Sequence, residues 1–208
     1  MSSNRITSPF RFDSAEPLHT ADYLTKRIVR TCRDASATRV LDIGCGNGAL
    51  CGVLSKVGFE VVGCDPSEEG IEVARRTYPH IQFHVLDVYD DPKKIGECEF
   101  DMVVCTEVVE HLFLPRFLPR FAKAVLTSRG HLLITTPYHS YIKNLALALS
   151  GKFDRHFTAL WDGGHIKFWS RATLTQLLAE EGFSVSGFRG AGRLPLLWKS
   201  MILIARKS

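Results

Sequence analysis

Five short apolar runs rich in β-branched residues punctuate the chain: Arg39 to Ile43, Glu60 to Cys64, Ile81 to Val85, Asp101 to Cys105 and His131 to Thr135. Helix-length segments lie between them, reading "ALCGVLSKVG", "SEEGIEVARRTY" and "LPRFLPRFAKAVLTSRG". Strand alternating with helix implies a parallel sheet, because parallel neighbours need a crossover that the helix supplies, and helices on both faces then cover it. Ser67 is placed to cap the second helix, with Gly70 an imperfection early in it. Pro115 and Pro119 fall in the first turns of the third, where a missing N–H is tolerated. Ahead of the first strand, Leu18, Tyr23, Leu24, Ile28 and Val29 recur at helical spacing between Pro17 and about Cys32.

Past Pro137 the alternation breaks. A short helical stretch, "IKNLALALSG", leads into a loop crowded with Phe153, His156, Phe157, Trp161, His165, Phe168 and Trp169. Ser170 then caps a helix ending at Gly182, and the final runs "FSVSGFRG" and "LLWKSMILIARK" are joined by a loop too short for a crossover helix. That pair is predicted to be antiparallel. At 208 residues and 45% hydrophobic, the chain suits one domain spanning 17–208, with a flexible arm over 1–16 anchored by Phe10 and Phe12 and a lid insertion at about 138–169.

The formal charge of +4 is spread over 26 basic and 22 acidic residues without a basic block, which argues against a DNA partner. The six cysteines form no CxxC pair and four sit in apolar runs, which suits a reducing, cytoplasmic setting. No signal peptide is evident, and "LPLLWKSMILIA" is too short to span a bilayer and broken by Lys199, so no membrane span is expected. The expected oligomeric state is monomer or homodimer.

The first strand runs into "VLDIGCGNGAL", three glycines in five residues after a lone acid. Such a turn lets backbone approach a ligand closely, and an acid closing the next strand often takes a ribose hydroxyl pair. Asp65 closes the second strand, 21 residues after Gly44. Alone, Gly44, Gly46 and Ala49 also satisfy the looser GxGxxG/A pattern of a dinucleotide site, or a plain tight turn. Asp42, two residues ahead of Gly44, is placed to face a cationic amine. Asp87 follows the third strand, where an adenine amino group needs an acceptor.

The series "VLDIGCGNG", "VVGCDPS", "HVLDV", "FDMVVCTEVVEHL" and "GHLLITTPY", in this order, resembles the class I S-adenosylmethionine-dependent methyltransferases. The resemblance implies a Rossmann-like α/β fold, a seven-stranded sheet with the last strand antiparallel. S-adenosyl-L-methionine would leave as S-adenosylhomocysteine. Its methionine end would lie over Gly44, Cys45, Gly46, Asn47 and Gly48, with Asp42 and Thr106 beside it. Asp65 and Pro66 would take the ribose, and Asp87 with Val88 the adenine.

The segment "CTEVVEHL" leaves the fourth strand at its carboxyl end, where ligands bind in open α/β sheets. In a helical turn Glu107, Glu110 and His111 would share a face, and two carboxylates with an imidazole suit a divalent cation. An acid–base group or a helix-start network uses the same residues. The stretch "EVVEHL" resembles the quinone-biosynthesis O-methyltransferases and, more distantly, the small-RNA 2′-O-methyltransferases. That implies a Mg or Zn site of Glu107, Glu110, His111 and His165, the last from "HIKFWS". Without an ion, His111 is the first candidate for general base, followed by His139 and His165.

The aromatic lid suits a flat acceptor, and the expectation is O-methylation of a small-molecule phenol, catechol or hydroquinone-like hydroxyl. A sugar or RNA 2′-hydroxyl, a non-catalytic cofactor-binding partner subunit and a dinucleotide oxidoreductase are the alternatives.

Overall fold

The computed structural model describes residues 14, 20–96, 99–157 and 159–208. The expected arm therefore lies, apart from Ser14, outside the described residues, as do Leu18 and Cys98. A seven-stranded sheet organises the rest: β1 (Arg39–Ile43), β2 (Glu60–Asp65), β3 (Gln82–Val85), β4 (Phe100–Thr106), β5 (Leu126–Pro137), β6 (Phe183–Ala191) and β7 (Ser200–Lys207), in the order β3-β2-β1-β4-β5-β7-β6. Strands β1 to β5 pair in parallel, while β7 runs antiparallel to both β5 and β6. The expected fold class holds.

Both faces of the central strands are buried, which is why they read as continuous apolar runs rather than alternating ones. Period-2 geometry still sorts their side chains between two cores. Leu41, Ile43, Val103, Cys105, Leu132 and Ile134 pack on one face with Leu118 and Phe121 of α4 (Phe117–Val125) and Leu174 and Leu178 of α7 (Arg171–Glu180). Val40, Met102, Val104 and Leu133 pack on the other with α1 (Ala21–Asp34), α2 (Ala49–Lys56) and α3 (Glu68–Thr77). Two short helices, α5 (Tyr141–Leu149) and α6 (Phe153–Phe157), fall within 138–169.

One element is shorter than expected. Helix α4 ends at Val125, and "LTSRG" begins β5 instead, with Pro115 left ahead of the helix. Leu126 pairs with Phe100, and Glu99 donates to the Val125 carbonyl, so neighbouring-strand contacts win over helix continuation there.

Capping behaves as read. The Ser67 hydroxyl accepts from the Gly70 amide, and Ser170 forms a reciprocal capping box with Thr173. Ser170→Ala is expected to lower the unfolding free energy by about 1 kcal/mol. Urea titration checks it: the midpoint falls while the slope is unchanged.

Candidate active site

The strand order reverses between β1 and β4, and in open α/β sheets this opens a crevice beyond the carboxyl ends of the strands. A cavity of about 780 Å³ lies there. One end is lined by Asp42, Gly44, Cys45, Asn47, Asp65 and Thr106, six of the residues expected to bind cofactor. Gly46 lies behind them, its amide donating to Asp65 Oδ2 at 2.9 Å, while Ser67 donates to Oδ1 at 2.8 Å. These two bonds fix the plane of the Asp65 carboxylate at the cavity wall. Burial nevertheless raises its pKa.

Asp42 is 1% exposed, and burial lifts its pKa to about 7. Its Oδ2 accepts from the Cys51 thiol, but Oδ1 has no partner among the described residues. A buried acid in this state is neutralised by a proton or by a cationic partner.

The glycine turn has a second physical reason besides ligand approach. Gly44 has φ +76°, and a Cβ there would meet Val108 Cγ2 at 2.3 Å. The loop leaving β1 and the loop leaving β4 thus touch through the missing side chain. Of the remaining expected cofactor residues, Gly48, Pro66, Asp87 and Val88 do not line the cavity. Val88 is core, and Asp87 sits in the turn after β3, accepting from the Tyr89 amide.

The β4 exit departs from the helical expectation. Glu107 adopts a left-handed backbone conformation (φ 55°), and only Val109–His111 form a single 3₁₀ turn. The Glu107 carboxylate is held by other elements: its Oε1 accepts from Thr135 at 2.8 Å and its Oε2 from Ser200 at 3.2 Å. Protein encloses it except toward the cavity, and that desolvation raises its pKa to about 7. Glu110, His111 and His165 do come together, with one ligand atom from each within 4.8 Å of the others. The expected quartet is therefore a trio, with Glu107 outside it.

Glu110 is 1% exposed, and neither carboxylate oxygen has a hydrogen-bond partner among the described residues. The Thr136 hydroxyl is nearby but unpartnered as well. Burial, reinforced by Glu107, drives the Glu110 pKa well up. His111 Nδ1 donates to the Gly163 carbonyl at 2.9 Å, which leaves the lone pair on Nε2. Burial lowers the pKa of His111 and brings that of His165 to about 4, so both rings are neutral at pH 7. An orphaned carboxylate facing two neutral imidazoles is a donor set that fits a divalent cation.

The segment 138–169 reaches this point because it is tied to Glu110's backbone. Ile166 and Lys167 amides both donate to the Glu110 carbonyl at 3.0 Å, and Trp169 Nε1 donates to Val109 O. His139 is placed elsewhere on the cavity wall, stacked on Phe157 and edge-on to Phe168, with burial lowering its pKa to about 4. Tyr23, Lys143, Arg193 and Ser200 line the cavity too. Sequence reasoning missed them, and only tertiary pairing reveals them: Ser200 is opposite Pro137 across the β5–β7 ladder.

A family model described as a methyltransferase domain matches residues 18–186, and the chain belongs to that family. Its relatives narrow the class. A Bradyrhizobium diazoefficiens protein named ubiquinone biosynthesis O-methyltransferase is 37% identical over 132 residues, 61% of this chain and 50% of that protein. A Ruegeria protein of the same name is 30% identical over 202 residues, 88% of this chain and 80% of that protein. The chain spans about half the length of the first of these relatives and most of the second. Among solved structures, magnesium protoporphyrin IX methyltransferase of Synechocystis with bound SAH shares the fold, with TM-score 0.68 at 19% identity over 89% of this chain and 82% of that one. Among the described residues no helix is long and apolar enough to cross a membrane.

Gly44→Ala is expected to destabilise the protein by about 1–3 kcal/mol through the left-handed backbone and the clash with Val108. Adding Val108→Ala should recover part of the loss, read as a non-zero coupling in a double-mutant cycle of denaturant unfolding. Glu107 sets a pH dependence. Its folded pKa, about 7, lies above its ordinary 4.5, so its contribution is most favourable below pH 4.5 and is lost as pH rises to 7. Thermal unfolding from pH 4.5 to pH 8 should show a smaller decline for Glu107→Gln than for the wild type.

Proposed function

We propose that the protein is an S-adenosylmethionine-dependent O-methyltransferase whose acceptor is a small phenolic, catechol or hydroquinone-like hydroxyl. The observation that carries this reading is one continuous cavity with two chemically distinct ends. At one, the unpartnered Asp42 oxygen and the oriented Asp65 carboxylate suit the ammonium and ribose hydroxyls of the cofactor. At the other, His111 and His165 line the cavity with Phe157, Trp161 and Phe168, and Glu110 lies against the two imidazoles. The relatives named for ubiquinone biosynthesis O-methylation support a hydroxyl on an aromatic ring.

The chemistry is an in-line displacement. The acceptor oxygen forms a bond to the methyl carbon as the carbon–sulfur bond breaks, S-adenosylhomocysteine leaves, and the hydroxyl proton passes to a base. Glu110, His111 and His165 are the residues that would hold a divalent cation. Such an ion, when bound, lowers the pKa of a hydroxyl oxygen at its open position. The chain's own part is to keep both imidazoles neutral, which burial does, and to orient His111, which the Gly163 carbonyl does. In the metal-free reading, favoured by the lone pair left on His111 Nε2, that atom accepts the proton. Thr135 and Ser200 anchor Glu107 beside the acceptor.

Calorimetric titration of Mg²⁺, Mn²⁺ and Zn²⁺ into protein preloaded with S-adenosylhomocysteine tests the scheme. Loading is expected, and its failure removes the cofactor reading. Glu110→Ala should weaken metal binding by at least the roughly tenfold to hundredfold that loss of an outer-shell partner costs. Loading without metal uptake assigns the proton to His111, and His111→Ala then lowers kcat.

A further inference from the structure

Helix α5 is inverted. Of its nine residues the single buried one is Lys143, at 7% exposed, whereas Tyr141, Ile142, Leu145 and Leu149 are 82%, 51%, 46% and 80% exposed. An amphipathic helix normally does the opposite, since burying an ammonium group is unfavourable unless something compensates it. Lys143 lines the cavity, and its Nζ donates to the Tyr138 carbonyl at 2.8 Å. That accounts for one of its three protons. Arg193, from the loop between β6 and β7, lines the same cavity.

Among the described residues no carboxylate lies within 4.0 Å of either cation. Glu107 is the acid that feels Lys143, but its two oxygens already accept from Thr135 and Ser200. The two cations also act on His156, so all three share one wall. Burial and the Arg193 charge lower the Lys143 pKa to about 8, a cost that a bound anion removes.

We infer that Lys143 and Arg193 form an oxyanion subsite in the acceptor half of the cavity, so that the acceptor is an aromatic hydroxyl compound carrying a carboxylate or phosphate-type group. Phe157, Trp161 and Phe168 would cover its ring, and the anion would lie across from the Glu110, His111 and His165 cluster. This rests on the O-methyltransferase reading for the hydroxyl and on Lys143 and Arg193 alone for the anion.

The test is calorimetric binding of three probes to the full chain, with and without S-adenosylhomocysteine: 3,4-dihydroxyphenylacetate, its methyl ester, and 3,4-dihydroxybenzylphosphonate. At least one anion should bind about tenfold or more tightly than the ester, the scale of one charge-assisted hydrogen bond. Which anion binds tighter identifies the group. Lys143→Met and the exposed Arg193→Met should each bring that anion toward the ester's affinity, and Arg193→Met guards against a folding defect in the buried variant. Equal binding of ester and anions, absence of binding by all three, or a preference that survives both substitutions overturns the inference. Failure of the methyltransferase reading shows separately, as no cofactor loading and no methyl transfer to any probe.

Discussion

The parallel pairing of β1 with β4 is the constraint on which the rest depends. It places Ile43 beside Cys105, so the glycine turn and the "TEVVEH" segment leave the sheet side by side. Their closeness is physical: Val108 occupies the space that a side chain on Gly44 would need. Sequence distance between the two loops is large, yet a one-residue slip in the register would turn Asp42 from the cavity and bring a core residue into it.

Desolvation then gives the cavity its chemical character. Asp42, Asp65, Glu107 and Glu110 all have pKa values raised chiefly by burial. They differ in how they are satisfied. Asp65 and Glu107 each have both oxygens engaged by the protein, which orients them. Among the described residues, Asp42 has one oxygen without a partner and Glu110 has two. Unsatisfied buried polar groups are uncommon in folded proteins, so these two incomplete acids stand out: Asp42 lines the cavity, and Glu110 lies beside His111 and His165, which line it too.

Much of the fold is legible in the sequence because the central strands are buried on both faces and so read as unbroken apolar runs. The part of the cavity lined by Asp42, Gly44 and Asp65 is legible for a related reason: Asp42 and Asp65 lie at the ends of consecutive strands, and Gly44 directly follows the first. Glu107 was misplaced because spacing of three and four assumes helical backbone, and its φ of 55° breaks that assumption. Thr135, Ser200, Lys143 and Arg193 carry no local signal at all. They enter the site only through the β5–β7 pairing, the β6–β7 loop and the folding back of residues 138–169, and Lys143 in a mostly apolar helix reads as the exposed residue when it is the buried one.

Glu110 joins two functions that would otherwise be independent. Its carbonyl accepts from Ile166 and Lys167 and so anchors the 138–169 segment, while its carboxylate faces His165, the residue just before that anchor. Any displacement of Ile166 and Lys167 from Glu110 would carry His165 with it, so the backbone anchor and the side-chain cluster hold together. His111, hydrogen-bonded to Gly163 on the other side of His165, enforces the same coupling.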